Sequence, residues 1–112
     1  FYTYAAGVAG MAALLARDPS IDGVFAASDA IAAGALETLR NAERRVPADI
    51  GIVGFDDSSW AVRAQPALST VRQPAGQLGA RAAELVLEQV RTGSLAANGA
   101  LLATEIVWRD SA

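Results

Sequence analysis

The sequence has no cysteine, no histidine and no lysine, and its nine basic residues are all arginine. The missing cysteines exclude a disulfide scaffold, a thiolate metal site and a cysteine nucleophile. Without histidine, the chain lacks the commonest general base and the commonest metal ligand. Without lysine, Schiff-base chemistry on a lysine amine is excluded. These absences favour binding over catalysis, so we expect a protein that is not an enzyme and that holds neither metal nor cofactor.

Positive charge and long apolar runs are also scarce. The net charge is −3 and the isoelectric point is about 4.7, so this segment lacks the positive charge expected of a nucleic-acid binder. The longest apolar run, Ala5 to Ala16, is too short to cross about 30 Å of hydrocarbon, and we expect no membrane partner. A length of 112 residues fits one modest domain or a piece of a larger one, and the start at Phe1 favours a piece.

The spacing of apolar residues predicts alternating helices and strands. Helical spacing predicts helices over residues 5–17, 30–42 and 74–92. Short apolar runs predict strands over residues 23–27, 50–55, 68–72 and 101–108, with a loop over 94–100 before the last strand. Gly7 and Gly10 in the first helix are expected to allow close packing against a neighbour. The alternation predicts an α/β fold, a parallel sheet with right-handed crossovers and helices on both faces, in three layers.

Two polar clusters follow the carboxyl ends of the first two predicted strands, namely Ser28-Asp29 and Asp56-Asp57-Ser58. Ligands of parallel α/β sheets bind beyond these strand ends, so the clusters should meet at one edge of the sheet. Asp56 and Asp57 are adjacent and point apart, which disfavours a catalytic carboxylate pair. Ser28 or Asp29 should cap the helix that follows, and a helix cap is the expected role of the Asp29 side chain. Asp57-Ser58 should cap the next helical turn. Asp56, nearest the strand end, is the better ligand candidate.

Five runs of residues form a specific pattern along the chain. They are VFAASD at 24–29, AAGAL at 32–36, RVPADIGIVGFDDS at 45–58, PALSTVRQP at 66–74 and TEIVWRDS at 104–111. In this order and spacing they resemble the lactose/galactose repressor (LacI/GalR) family of bacterial transcriptional regulators, over essentially the whole chain.

The resemblance implies a periplasmic-binding-protein-like fold, in which two lobes enclose an effector cleft. This chain then corresponds to the later part of that region, residues 1–112 forming one incomplete lobe. Most of the second lobe and the helix-turn-helix domain would lie outside the chain. Residues 73–93 would be an element of the other lobe. We therefore expect the helix over 74–92 to make intermolecular contacts or to depart from the family position, because its apolar stripe needs cover.

The same resemblance implies a ligand-binding set of Tyr2, Ser28 and Asp56. Tyr2 corresponds to the aromatic residue that often stacks on the effector in this family, and Asp56 to the acid that hydrogen-bonds a sugar hydroxyl or a base. Ser28 falls where many members place a polar contact. Family members bind different effectors, and a sugar or similar small molecule is the expected class.

Family members pair through the helix that begins near Ala30 and the loop over 58–65, so the resemblance also implies a homodimer. The expected interface residues are Ala33, Trp60, Val62 and Ala64. Trp60 and Val62 are costly to expose, although Trp60 could instead pack on its own core.

The function implied is an effector-sensing and dimerisation segment of a cytoplasmic transcriptional regulator, which binds operator DNA only through the missing amino-terminal domain. Two alternatives stay open. One is a fragment of a periplasmic sugar-binding protein that serves an ABC transporter, and the other is a small α/β enzyme. The runs RVPADI and LSTVRQP favour the regulator, and the missing histidine, cysteine and lysine disfavour the enzyme.

Overall fold

Eight helices and strands make up the part of the chain that the computed structural model describes, residues 1–94 and 99–112. In chain order they are α1 Tyr4–Arg17, β1 Gly23–Phe25, α2 Asp29–Asn41, β2 Gly51–Phe55, α3 Ser59–Arg63, β3 Ser69–Arg72, α4 Ala75–Thr92 and β4 Glu105–Val107. All the predicted helices and strands are present with shifted ends. The predicted loop over 94–100 includes residues 95–98, which lie outside the described residues. The chain divides into two compact units, residues 1–72 with 105–112 and residues 73–104.

The sheet of the first unit has the order β1-β2-β3-β4. Strands β1, β2 and β3 run parallel, as predicted, but β4 runs antiparallel to β3, so the prediction of a wholly parallel sheet is wrong for the last strand. Glu105 at the start of β4 pairs with Arg72 at the end of β3. The chain therefore re-enters the sheet at the end where it left and must run in the opposite direction. An apolar run carries no information about this direction.

Helices α1 and α2 pack closely because two glycines lie at their contact. A Cβ on Gly7 would lie 2.0 Å from the carbonyl oxygen of Ile31, and a Cβ on Gly34 would lie 2.0 Å from that of Tyr4. The prediction of close packing is thus confirmed for Gly7. It is wrong for Gly10, where a Cβ would meet nothing within 4 Å, because this residue borders an open groove instead of a packed contact.

The core of the first unit lies between α2 and one face of the sheet. Its fully buried large side chains include Met11, Leu39, Ile50, Ile52 and Leu68. Along β2 burial alternates, so the opposite face of this strand is only half-buried. Phe25 of β1 is 63% exposed. The prediction that both faces of the strands are covered is therefore wrong for the first unit, where one face of the sheet is only partly covered. The α/β class with a mostly parallel sheet is confirmed.

The second unit consists mainly of α4, which buries no residue. The helix ends at Gly93, whose φ of +71° is the left-handed conformation of a helix C-terminal glycine, as predicted. Leu78 and Leu85 face a shallow groove that Ala100 and Leu102 also line, but Val86 is 59% exposed. Among the described residues, no helix combines the length and apolarity needed to cross a membrane.

Candidate functional site

The two polar clusters meet at the carboxyl edge of the sheet, as the parallel topology predicts. Strands β1 and β2 pair in register from Gly23 and Gly51 onward, so the segments that follow them emerge side by side. The clusters are in direct contact, because the Ser58 amide donates a 2.7 Å hydrogen bond to Oδ2 of Asp29. The residues that join them lie on three elements, the start of α2, the loop over 56–58 and strand β3.

Asp29 is a buried carboxylate with three hydrogen-bond donors, and the prediction that it caps a helix is wrong. Its exposure is 1%. Oδ2 accepts from the amide and the hydroxyl of Ser58, at 2.7 and 3.1 Å, and Oδ1 accepts from the Thr70 hydroxyl at 2.6 Å. The side chain reaches over Gly54, where a Cβ would lie 2.3 Å from Oδ1. Ser28 caps α2 instead, since its extended backbone lets Oγ accept from the Ile31 amide at 3.2 Å.

The loop over 56–58 is held by three consecutive backbone amides. The Asp56 amide donates to the Val71 carbonyl at 2.9 Å, the Asp57 amide to Thr70 Oγ1 at 3.3 Å, and the Ser58 amide to Asp29. These bonds support an unfavourable backbone, because φ is +108° at Asp56 and +54° at Asp57. Such conformations cost about 1–3 kcal/mol each and persist only where the surroundings impose them. The loop conformation is therefore imposed by α2 and β3.

Asp57 forms ion pairs rather than the predicted cap. Oδ2 lies 2.7 Å from Nε of Arg72, and Oδ1 lies 2.8 Å from Nη2 of Arg109. Burial alone would raise the pKa of this carboxyl, but hydrogen bonds from Arg72 and Arg109 outweigh burial and hold its pKa below the ordinary value. Ser58 occupies the cap position of α3, but its side chain makes no capping hydrogen bond, because its hydroxyl donates to Asp29 instead.

Sequence reasoning missed Thr70, Arg72 and Arg109 as parts of this edge. Arg109 also donates from Nη1 to the Leu68 carbonyl at 3.0 Å, so it ties the C-terminal segment to the residue that precedes β3. Thr70 and Arg72 lie in the predicted strand over 68–72, and polar side chains in a short buried strand are a signal that could have drawn attention to them, whereas Arg109 follows the last strand and carried no such signal. The separations of 15 and 52 residues from Asp57 to its two arginines gave no local pattern to read.

The three predicted ligand residues have different environments. Asp56 is exposed at the sheet edge. Ser28 is 7% exposed, and its hydroxyl oxygen accepts the helix-cap hydrogen bond. Tyr2 precedes α1 and is 72% exposed. Asp56 and Ser28 thus follow neighbouring strands at one edge, while a shared cleft that includes Tyr2 stays a prediction.

Three of the four predicted interface residues line one groove. Ala33, Trp60 and Ala64 border an open groove of about 440 Å³, which Tyr4 and Arg40 also line. The Trp60 ring stacks on Tyr4 with centroids 5.6 Å apart and remains 43% exposed, so it packs only partly on its own chain. The fourth residue, Val62, is 62% exposed outside the groove lining.

The Tyr4 hydroxyl fixes one wall of this groove by donating a hydrogen bond to Glu37 of α2. This bond, together with burial and the Glu37 charge, raises the pKa of Tyr4. Tyr4 therefore remains a neutral donor at physiological pH, and its ring provides a fixed support for Trp60. No set of three or more acidic side chains in residues 1–94 and 99–112 is arranged to hold a metal ion.

Comparison with known sequences gives a consistent family. A model described as "Periplasmic binding protein-like domain" matches residues 2–112. The transcriptional regulator CelR of Thermobifida fusca is 40% identical over 110 residues, which are 98% of this chain and 32% of CelR. A ribose operon repressor of Haemophilus influenzae is 33% identical over 110 residues, 98% of this chain and 33% of the repressor. The chain spans about a third of the length of these relatives.

Solved structures agree with the sequence comparison. A transcriptional regulator CelR–cellobiose complex superposes with a TM-score of 0.91 at 40% identity, covering 98% of this chain and 34% of that one. A LacI family regulator from Arthrobacter sp. FB24 in complex with lactose superposes with a TM-score of 0.83 at 30% identity, covering 97% of this chain and 42% of that one. The chain therefore belongs to the periplasmic-binding-protein-like domain family, and the relatives and structures it resembles are transcriptional regulators.

Proposed function

We propose that this chain is the effector-sensing and dimerisation segment of a LacI-type transcriptional regulator. The observation that carries the proposal is the rigidly held loop over 56–58, which presents the exposed acid Asp56 at the carboxyl edge of the sheet. Similar regulators form complexes with cellobiose and with lactose, so a sugar is the proposed effector class. The segment works by binding rather than by catalysis.

The residues at this edge suit a sugar hydroxyl. An ionised carboxylate accepts hydrogen bonds from hydroxyls, and Asp56 places such a group at the exposed edge of the sheet. The Ser28 oxygen accepts the cap bond from Ile31, so the group it would offer to a ligand is its O–H. Tyr2 supplies an aromatic face of the kind that stacks on the apolar face of a sugar ring.

The groove beside Trp60 is the proposed dimer contact. Trp60 is held by Tyr4 yet exposes 43% of its surface, and Val62 next to it exposes 62%. Partly exposed aromatic residues on a rigid support are typical interface anchors. A homodimer would bring two such surfaces together across a twofold axis.

In the whole regulator, the effector would act through the relative stability of two conformations. An effector that binds one conformation better shifts the population toward it, and this changes operator affinity by the same coupling free energy. Operator DNA would contact a helix-turn-helix domain that is not among these residues, and the protein would act in the cytoplasm.

The proposal is tested in the full-length protein with a thermal-shift screen of sugars and purines and with operator binding by fluorescence anisotropy. We expect at least one sugar to raise the midpoint of unfolding and to alter operator affinity. Asp56→Ala should weaken the effector response at least tenfold while leaving operator affinity in the absence of effector unchanged. Asp22→Ala, an exposed acid before β1, is the control and should respond as the wild type does. An unchanged response in Asp56→Ala would contradict the proposed site.

The dimer is tested by analytical ultracentrifugation of Trp60→Ser, with Trp108→Ser as the control. Trp108 is 66% exposed and lies outside the groove lining. We expect the dimer dissociation constant to rise about 30-fold or more for Trp60→Ser, the loss typical of an interface anchor worth about 2 kcal/mol. Equal effects of the two substitutions would contradict the proposed interface.

A further inference from the structure

Asp29 and Thr70 form a buried polar pair below the loop that carries Asp56. Both residues are at most 1% exposed. The Thr70 hydroxyl donates to Oδ1 of Asp29 at 2.6 Å, and its oxygen accepts from the Asp57 amide at 3.3 Å. Oδ2 of Asp29 accepts from the Ser58 amide at 2.7 Å. The pair therefore reaches two of the three loop amides, one directly and one through Thr70.

Nothing about the hydrophobic core requires a carboxylate at this position. A buried carboxylate is unfavourable unless hydrogen bonds compensate its lost hydration. Among the ion pairs found in residues 1–94 and 99–112, none includes Asp29. The side-chain and amide donors that compensate it come from Ser58 and Thr70. The hydrogen bonds that stabilise the Asp29 carboxylate therefore come from the loop over 56–58 and from strand β3.

We propose that Asp29 and Thr70 are positioning residues, which hold the loop over 56–58 in the conformation that presents Asp56 to the effector. This inference rests on the proposed function, because it assumes that Asp56 contacts the effector. Asp56 and Asp57 have positive φ angles of +108° and +54°, which are unfavourable for these residues. We therefore expect the loop to adopt another backbone conformation when its hydrogen bonds to Asp29 and Thr70 are removed. A loop that relaxes would displace the Asp56 carboxylate from the place it holds at the sheet edge.

Ser111 provides a matched control elsewhere in the same unit. Its hydroxyl is fully buried, donates to the Ile52 carbonyl at 2.6 Å and accepts from the Ser69 amide at 2.8 Å. Thr70 has the same burial and the same pattern of one donated and one accepted bond. Removal of either hydroxyl leaves buried groups without partners, but only Thr70 bonds to the loop.

The experiment compares Thr70→Val, Thr70→Ser and Ser111→Ala in the full-length protein by amide hydrogen exchange. Valine preserves the shape of threonine and removes the hydroxyl, whereas serine keeps the hydroxyl. We expect exchange at the Asp57 and Ser58 amides to accelerate at least tenfold in Thr70→Val relative to Ser111→Ala. Thr70→Ser should stay within about threefold of the wild type. Equal protection of these amides in Thr70→Val and Ser111→Ala would overturn the proposal, and this measurement needs no effector.

A second measurement, titration with cellobiose and lactose by calorimetry, connects the loop to binding. For whichever sugar binds, we expect the dissociation constant to rise at least tenfold in Thr70→Val and less than threefold in Ser111→Ala. An unchanged constant despite faster exchange would overturn the positioning role. If Asp56→Ala also leaves the constant unchanged, the proposed effector site itself is wrong, so the two failures are distinguishable.

Asp29→Asn serves where Thr70→Val does not fold. The amide keeps the volume of the carboxylate but has one acceptor oxygen, so it can accept from Ser58 or from Thr70 and not from both. We expect at least tenfold faster exchange at the Ser58 or the Asp57 amide. Wild-type protection at both amides would overturn the proposal.

Discussion

Helices α2 and α4 both carry an apolar stripe at helical spacing, but α2 buries seven residues and α4 buries none. Helix α2 packs against α1, β2 and α3, so every apolar residue of its stripe has a neighbour within the same unit. Helix α4 shares a shallow groove with residues 100–102 and leaves Val86 and Val90 exposed by 59% and 77%. An apolar stripe thus predicts that a helix will be covered, but it does not identify the covering segment.

The comparison fits the prediction that residues 73–93 are an element of another lobe. Each apolar side chain of this size contributes about 1.5–3 kcal/mol when it is buried, so the stripe of α4 favours a partner strongly. The relatives of this chain are about three times as long, and their additional residues are where such a partner would come from.

The largest expected effect comes from disrupting the close contact between α2 and α1. In Gly34→Ala the new Cβ would lie 2.0 Å from the Tyr4 carbonyl oxygen, and a backbone atom in a packed helix cannot move aside cheaply. We expect a loss of about 4 kcal/mol or more in the free energy of unfolding, measured by urea titration of the full-length protein. Gly10→Ala in α1, with open space at its Cβ, is the control and should not destabilise. Similar losses for both variants would contradict the close contact of α1 and α2.

The next prediction compares one residue from each helix. Leu39 of α2 is fully buried, so Leu39→Ala should lower the free energy of unfolding by about 3 kcal/mol. Val86 is 59% exposed in this chain, so if nothing else covered it, Val86→Ala would change the free energy of unfolding by no more than about 0.5 kcal/mol. If α4 packs on another lobe of the full-length protein, as predicted for residues 73–93, Val86→Ala should there cost at least about 1 kcal/mol. Urea titration measures both, and a negligible change for Val86→Ala would show that α4 remains uncovered.

A smaller effect concerns the pH dependence of the sheet edge. Ion pairs with Arg72 and Arg109 hold the pKa of Asp57 below its ordinary value, so Asp57 contributes stability that is complete above the ordinary carboxyl pKa. This contribution is lost as the pH falls through the lowered pKa of the folded protein. We expect Asp57→Asn to cost about 1–2 kcal/mol at pH 7 and progressively less at acid pH. Urea titrations between pH 7 and pH 3 measure this, with the exposed Asp110→Asn as the control. A pH-independent difference between Asp57→Asn and the wild type would show that the ion pairs contribute no stability.

The fold was predictable because its signals are local. Each stripe and each apolar run lies within a dozen or so neighbouring residues, and parallel topology then placed Ser28 and Asp56 at one sheet edge. The direction of β4 was not predictable, because it depends on where the chain re-enters beside Arg72.

The roles of the acids at the edge were harder to predict than their location. Ser28 and Asp29 are both good capping residues by type. Which of them caps α2 depends on the space above Gly54 and on the hydroxyl of Thr70, 41 residues from Asp29 along the chain. Likewise Asp57 resembles a cap by sequence, and its arginine partners become neighbours only when β3 and the C-terminal segment are in place.

The smallest expected effect concerns a glycine of α4 that makes no close contact in this chain. Gly76 lies in the first turn of α4, and a Cβ there would meet nothing within 4 Å. At 100° per residue it lies within about 40° of the exposed Val90, on the edge of the apolar face, so the segment that covers Val90 must leave room for one methyl group at this position. Gly76→Ala restricts the unfolded chain without a clash and should raise the free energy of unfolding by about 0.4–1 kcal/mol in the full-length protein. Gly93→Ala, at a φ of +71°, is the contrasting variant and should destabilise, because alanine is strained in that conformation. A loss of stability in Gly76→Ala, measured by the same urea titration, would mean that the segment covering α4 packs closely on Gly76 and leaves no room for a methyl group there.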